Sequence, residues 1–504
     1  MGSERTPRRK RAVRGGGSGA AAWSFFLFLL ALTALRLAVA AWTPLAPDEA
    51  YYCVWSKALA SGYPDHPPMV ALWIRGGTAL LGDTELGVRL FGPLATAAGS
   101  LLIWRAGEDL LPGRGAGMAA AVLANATLLF GAGAAIMTPD TPLLFFWTLA
   151  LFGLGRLLAT GRARWWGLVG VAAGLAAASK YTAVLMAPAV LVWLLAVPSL
   201  RPWLRRPGPW VAVLAALAVF APVLAWNATH DWVSLVRQGG RVGDWQAGRA
   251  LQFVGELLGG QIGLATPLLA VLFGAGFVVA LRRACTRDPG WTLLASLLAV
   301  PSLVFLQHAL GDRVQANWPS LLYPQAAIAA AGLAGGWRRL RAPAVGLGLL
   351  LTGLVWVQAI WAPARLPHPW DITLLRLAGW QSLADSVAAV ARADCAAYVV
   401  ADNYGQAAEL AWHLPPDIPV LALDARWRWF SLPGASGFVD GRTGLMLRSD
   451  RLADQPHMAD FAQADRLGLL ERERGGMVAE RVRLYRVTGR EGSEPIVFMP
   501  RPHK

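Results

Sequence analysis

The sequence predicts an all-α polytopic membrane protein with a small C-terminal α/β domain, and three observations lead to that fold class. The chain of 504 residues is 55% hydrophobic and only 15% charged, with a mean hydropathy of +0.43, too apolar for an ordinary soluble domain. Windows of about 18 or more apolar residues, the length that crosses about 30 Å of hydrocarbon, recur as far as residue 362. From residue 363 onward Arg, Asp and Glu become frequent and the apolar runs shrink to strand length.

The first 20 residues, rich in Arg, Gly and Ser, read as a disordered cytoplasmic tail. Spans are expected at 22–41, 86–104, 116–137, 142–158, 165–179, 182–197, 210–226, 262–281, 291–308, 320–336 and 343–362, roughly eleven in all. The first stretch follows a basic segment as a signal peptide would, but it has the length of a full span and many spans follow it. The formal net charge of +15 reflects topology rather than nucleic-acid binding. Arg8, Arg9, Lys10 and Arg11 precede the first span, and alternate loops carry Arg105 with Arg114, Arg162 with Arg164, Arg201 with Arg205 and Arg206, Arg282 with Arg283, and Arg338 with Arg339 and Arg341. The positive-inside rule places all of them in the cytoplasm. An odd number of spans then puts the C-terminal region outside, on the same side as the loop after span one. In that region Ala396–Ala401, Gly405–Leu414 and Ile418–Leu423 read as strand, helix and strand. The chain therefore divides into a tail at 1–20, a multi-span domain at 21–362 and an extracytoplasmic α/β domain at 363–504. Cys53, Cys285 and Cys395 have no metal or disulfide spacing and are expected as free thiols.

Two outer loops are long, about 42–85 and 227–261. The first includes Leu72–Leu81, suited to an interfacial helix, and the second mixes Trp232 and Trp245 with Arg237, Arg241 and Arg249, suited to the headgroup layer. Charges within spans are costly and therefore informative. Arg36 is the clear exception to an otherwise uncharged set, about 9 Å below the outer end of span one at helical rise, placed to snorkel or to pair with a lipid phosphate. Directly after span one, Pro47-Asp48-Glu49-Ala50-Tyr51-Tyr52 sets two carboxylates and two phenols at the outer surface. Adjacent acids on a loop ordinarily serve solvation. Here Asp65-His66-Pro67-Pro68, Thr138-Pro139-Asp140 and Lys180-Tyr181 fall on the same side.

The run from Asp48 through Asp65-His66-Pro67-Pro68 to Gly82-Asp83 and Gly87-Val88-Arg89-Leu90 resembles the GT-C glycosyltransferases. More narrowly, it looks like the bacterial branch related to protein O-mannosyltransferases and to the aminoarabinose and galacturonic acid transferases of lipopolysaccharide. Thr138-Pro139-Asp140, Ser179-Lys180-Tyr181-Thr182 and Asn317-Trp318-Pro319 follow in the family's order. The resemblance implies a GT-C fold in a bacterial inner membrane, N-terminus cytoplasmic and C-terminal domain periplasmic. It implies an inverting transfer from a polyprenyl-phosphate sugar to lipid A or lipopolysaccharide, a cell-wall glycan or protein. By position it makes Asp48 the catalytic base or its close organiser, with Glu49 beside it, Asp140 the second acidic residue, for acceptor or metal handling, and Lys180 a partner of the donor phosphate.

The chemistry agrees with this assignment. A phosphate leaving group needs no proton, so one base on the acceptor hydroxyl suffices. Cations must meet the charge that builds on the phosphate, and Lys180, Arg89, Arg36 and Arg241 are the candidates. Tyr51, Tyr52, Asp65 and His66 are candidate substrate contacts. Asp48 with Asp140 is compatible with a divalent metal but selects no particular ion, and no other cofactor is implied. Membrane lipid and a lipid or glycan acceptor are the expected partners, with no nucleic acid. A transporter or flippase would need charges deep in the bundle, and an inactive accessory protein would need a broken motif. Neither pattern is present.

Overall fold

The computed structural model describes residues 16–239, 247–367, 370–452, 461–490 and 496–502. The chain is mainly helical. A long first span α1 (Gly16–Trp42) leads into the first outer loop, which holds α2 (Pro47–Lys57) and α3 (Met69–Leu81). Next come α4 (Glu85–Arg89), α5 (Phe91–Leu110), α6 (Ala116–Asn125), α7 (Leu128–Gly131), α8 (Asp140–Thr160), α9 (Trp165–Ala177), α10 (Met186–Ala196) and α11 (Pro207–Ala228). The second outer loop is also largely helical, with α12 (Val233–Gly239) and α13 (Ala247–Ala265), and the bundle ends with α14 (Pro267–Cys285), α15 (Pro289–Ala309), α16 (Tyr323–Ala331) and α17 (Arg341–Trp361).

Every segment expected to span is helical at least in part. Among the described residues seven helices are long and apolar enough to cross a membrane, and nine if each of two bent pairs forms one span. The remaining expected spans are shorter: α9 has 13 residues, and α16 has 9. The segment 116–137 is broken, its two halves meeting at 75°. The segment expected at 262–281 starts late because Thr266, at φ 76°, breaks the chain before Pro267. A proline disfavours helical geometry in the residue before it and cannot donate to the preceding turn. Arg36 is not the sole charge within a span. Arg156, inside 142–158, donates to Asp109 at 3.0 Å near the other end of the bundle.

After α17 the chain forms α18 (Ile372–Leu377), α19 (Trp380–Ala393), β1 (Val399–Ala401), α20 (Tyr404–His413), β2 (Val420–Leu423), α21 (Ser436–Val439), β3 (Thr443–Ser449), β4 (Phe461–Arg474), β5 (Met477–Gly489) and β6 (Ile496–Phe498). The expected strand, helix and strand appear as β1, α20 and β2. The six strands form one sheet in the order β4-β5-β3-β1-β2-β6. β1 is parallel to both neighbours, with Val400 opposite Leu421 and Met446, while β4 and β5 form a long antiparallel hairpin.

The sheet domain shares a core with the first outer loop. Trp55, Tyr63, Trp380, Trp412, Trp427 and Phe430 belong to one buried cluster, with Trp55 stacked on Tyr63 at 4.1 Å between ring centres. At this junction Gly405 lies so close to α2 that a Cβ would sit 2.9 Å from the Pro47 side chain, so a larger residue would push the two elements apart. The direct contact sets the sheet domain and the Asp48 loop on one side of the bundle. The three cysteines are free, Cys53 buried and the other two exposed.

Candidate active site

The start of α2 follows directly from its sequence. Pro47 occupies the first turn, where its missing N–H costs nothing, and Asp48 and Glu49 meet the positive end of the helix dipole. Glu49 reaches back to accept from the Ala46 amide at 3.0 Å. It also accepts from the Met137 amide at 2.9 Å and from Arg89 Nε and Nη2 at 2.7 and 2.6 Å. Arg89 uses its remaining donors on the carbonyls of Ala40, Thr43 and Pro44 and on Thr43 Oγ1, at 2.7 to 3.0 Å. Both side chains are almost fully buried. This forked pair ties the end of α1, the start of α2, α4 and the turn before α8 together.

Asp48 is in a different situation. Its side chain is 43% exposed, and among the described residues it accepts one hydrogen bond, from Tyr404 Oη at 3.0 Å. The nearest cation is Arg376 Nη1 at 3.9 Å. Both partners come from the C-terminal region. Tyr404 is held between the Tyr51 ring, 4.5 Å away, and the Arg426 guanidinium, 4.1 Å over its own ring. Burial and the Asp48 charge push the Tyr404 phenol above its ordinary range, which keeps its hydroxyl a donor.

A second buried ion pair borders the same space through its acid. Asp140 opens α8 and accepts from Lys180 Nζ at 2.8 and 3.0 Å. Asn317 Nδ2 at 2.5 Å and Ser320 Oγ at 3.0 Å also donate to it. Asp140 and Lys180 are each 5% exposed. An ammonium and two neutral donors thus satisfy the carboxylate that would have shared a divalent ion with Asp48. Among the described residues no group of three or more His, Cys, Asp or Glu could hold a metal.

These elements surround a cavity of about 460 Å³. Its polar end is formed by Asp48, Glu49, Arg89, Asp140, Asn317 and Arg376, and its walls by apolar residues of the spans such as Val39, Leu128, Leu144, Phe145, Val355 and Trp356. Asp48, Glu49, Asp140 and Arg89 all line this cavity, and Lys180 is linked to it through its ion pair with Asp140. Arg36 lies on the face of α1 that carries Val39 and Thr43, one to two turns below the polar end. It is fully buried, and its three guanidinium nitrogens have no hydrogen-bond partner among the described residues.

The four candidate substrate contacts form a separate cluster that does not line this cavity. Asp65 accepts from Tyr51 Oη at 2.8 Å and pairs with Arg237 at 2.7 Å and Arg426 at 3.3 Å. Tyr51 and Tyr52 are buried in the aromatic junction, and the His66 ring lies edge-on to Tyr52 at 6.5 Å. Arg241 lies outside the described residues. Sequence reasoning missed Tyr404, Arg376, Arg426 and Ser320. Asn317 had a signal in the Asn317-Trp318-Pro319 motif, whereas nothing local distinguishes Tyr404 or Arg376 from other residues of a polar region.

The dolichyl-phosphate-mannose-protein mannosyltransferase family is matched over residues 65–226. A lipid A galacturonosyltransferase of Rhizobium johnstonii is 30% identical over 384 residues, covering 73% of this chain and 77% of the relative. The undecaprenyl phosphate-alpha-4-amino-4-deoxy-L-arabinose arabinosyl transferase of Edwardsiella ictaluri is 31% identical over 205 residues, 37% of this chain and 36% of the relative. In fold, the chain is similar to the crystal structure of ArnT from Cupriavidus metallidurans bound to undecaprenyl phosphate. The TM-score is 0.61 at 15% identity, over 94% of this chain and 98% of that one. The chain thus belongs to the GT-C family of polyprenyl-phosphate-dependent membrane glycosyltransferases, in the bacterial branch related to protein O-mannosyltransferases and to the aminoarabinose and galacturonic acid transferases of lipopolysaccharide.

Proposed function

We propose that this glycosyltransferase takes its sugar from an undecaprenyl-class phosphate and places it on a hydroxyl of lipid A or the lipopolysaccharide core. The reaction takes place at the periplasmic face of a bacterial inner membrane. In this reading residues 1–20 are a cytoplasmic tail, 21–362 form the catalytic bundle and 363–504 form a periplasmic domain. The observation that carries the proposal is one cavity with apolar walls for a lipid chain, ending at a half-exposed carboxylate and a buried ion pair.

Asp48 takes the proton of the acceptor hydroxyl as that oxygen bonds to the anomeric carbon and the bond from that carbon to the phosphate oxygen breaks. The electron pair leaves with the phosphate, and the configuration inverts. Asp140, itself fixed by donors from Asn317 and Ser320, holds the Lys180 ammonium in place. Lysine has three donors, and the two Asp140 oxygens take two of them, which leaves one for a phosphate oxygen. Arg36, a buried cation without a partner among the described residues, is a reserve of positive charge beneath the site, and its burial unpaired is costly unless an anion comes near. Glu49 and Arg89 hold α2 in place and leave the chemistry to Asp48.

The test is transfer by the purified full chain from undecaprenyl-phosphate galacturonic acid, aminoarabinose or mannose to lipid A. The expected product has an anomeric configuration opposite to that of the donor. Asp48→Asn should lose about 10²- to 10⁴-fold in rate. Transfer by Asp48→Asn at the wild-type rate, or retention of configuration, overturns the proposal.

A further inference from the structure

Where α17 leaves the bundle, α18 closes the cavity with Ile372, Thr373, Arg376 and Leu377. Just before it, Trp370 is 80% exposed, a residue type that suits the boundary between headgroups and water. Six residues cannot hold a helix alone, and this helix is fixed at both ends. At its start Asp371 Oδ1 accepts from the Thr373 and Leu374 amides at 3.1 and 3.0 Å, while Oδ2 accepts from Gln358 of α17 and from Arg474, each at 2.8 Å. At its end Arg472 donates to the carbonyls of Ala378 at 2.5 Å and Leu375 at 2.9 Å and lies 4.3 Å over the Trp380 ring. Gly379 then turns the chain at φ +76°, where a Cβ would meet the Glu473 carbonyl oxygen. Two arginines of the β4–β5 hairpin are committed to holding this helix, and the one arginine it presents to the cavity is left almost unengaged. The Arg376 side chain is 58% exposed, and among the described residues its ion-pair partner is Asp48, at 3.9 Å.

We propose that Arg376 is an acceptor-recognition residue that receives an anionic, phosphate-class group of the lipid acceptor beside Asp48. The side of the site follows from the in-line geometry, so the proposal rests on the reading of Asp48 as the base. In an inverting displacement the base and the attacking oxygen lie on one face of the sugar and the leaving phosphate on the other. A cation next to the base is therefore on the acceptor side, and the donor phosphate has the Lys180 side. A guanidinium presents a planar fork that matches phosphate oxygens in two bonds, and a rigid helix holds that fork at low entropic cost.

The experiment measures binding to the detergent-purified full chain with three probes: lipid A bearing both phosphates, the same lipid A with its phosphates removed, and undecaprenyl phosphate. Wild type is expected to prefer phosphorylated lipid A by about tenfold or more, as a charge-assisted bidentate contact provides. Arg376→Gln should abolish that preference and leave undecaprenyl phosphate binding and the thermal midpoint unchanged, and Arg376→Lys should restore part of it. The proposal is overturned if wild type does not distinguish the two lipids, if the preference survives in Arg376→Gln, or if Arg376→Gln weakens undecaprenyl phosphate instead. Binding involves no turnover. A failure of the base reading, seen as transfer by Asp48→Asn, is therefore distinct from a failure of the Arg376 site.

Discussion

At Glu49 each carboxylate oxygen is answered twice, by Arg89 together with the Met137 amide on one and the Ala46 amide on the other. One residue earlier, Asp48 has a single tyrosine hydroxyl and an arginine still at 3.9 Å. A saturated buried charge has no capacity left for a substrate, while an under-satisfied one at a cavity mouth retains it. Within one dipeptide, Glu49 is fully engaged by the fold and Asp48 keeps free acceptor capacity, the difference on which the proposed division of roles rests.

The largest expected effect breaks the scaffold half. Arg89→Met strands the Glu49 carboxylate and should cost about 3–5 kcal/mol of stability, read as a lower thermal midpoint or failure to accumulate in membranes. The double variant Glu49→Gln, Arg89→Met should recover a good part of that loss, since no charge is left alone. An Arg89→Met protein of wild-type stability that binds undecaprenyl phosphate poorly would reverse the comparison and make Arg89 a donor ligand. A smaller effect is expected on the chemical half. Tyr404→Phe removes the one hydrogen bond to Asp48, worth about 1.5–3 kcal/mol for a charged acceptor. Transfer should slow by about tenfold, with the donor KM unchanged. A change in donor KM alone would place Tyr404 on the substrate instead.

The smallest effect sharpens the contrast through a third acid. Glu409 of α20 is fully buried beside His413, Arg472 and Glu49, and burial pushes its carboxyl up to about 7 from an ordinary 4.5, against the favourable pull of His413 and Arg472. Because the folded value lies above the unfolded one, its contribution to stability is full below about pH 4.5 and is lost as pH rises through about 7. Glu409→Gln should flatten that part of a thermal-midpoint series between pH 4.5 and 8. A slope unchanged in the variant would assign it to another group.

The sequence made the helical bundle legible because lipid requires long apolar runs, and those runs mark themselves. It made α20 between β1 and β2 legible because each element carries its own periodicity. The β4–β5 hairpin was not recognised, since most of β4 is exposed or half-buried and the strand lacks a clean alternation. The site divided along the same line. Asp48, Glu49, Asp140 and Lys180 sit in compact motifs at span ends. Tyr404 reaches Asp48 across 356 positions of sequence, and only the folded junction at Gly405 brings the two together. The unequal engagement of Asp48 and Glu49 was equally unreadable, because it depends on where Arg89 points.

The walls of the cavity belong to membrane helices. The polyprenyl-phosphate donor that such a cavity takes is itself held in the bilayer, so its effective concentration is a mole fraction in lipid rather than a molarity in water. Diluting the carrier with inert phospholipid at constant bulk amount then slows the enzyme, while diluting the whole vesicle suspension with buffer leaves the rate per enzyme unchanged. Constants for this enzyme thus have physical meaning only per unit of membrane.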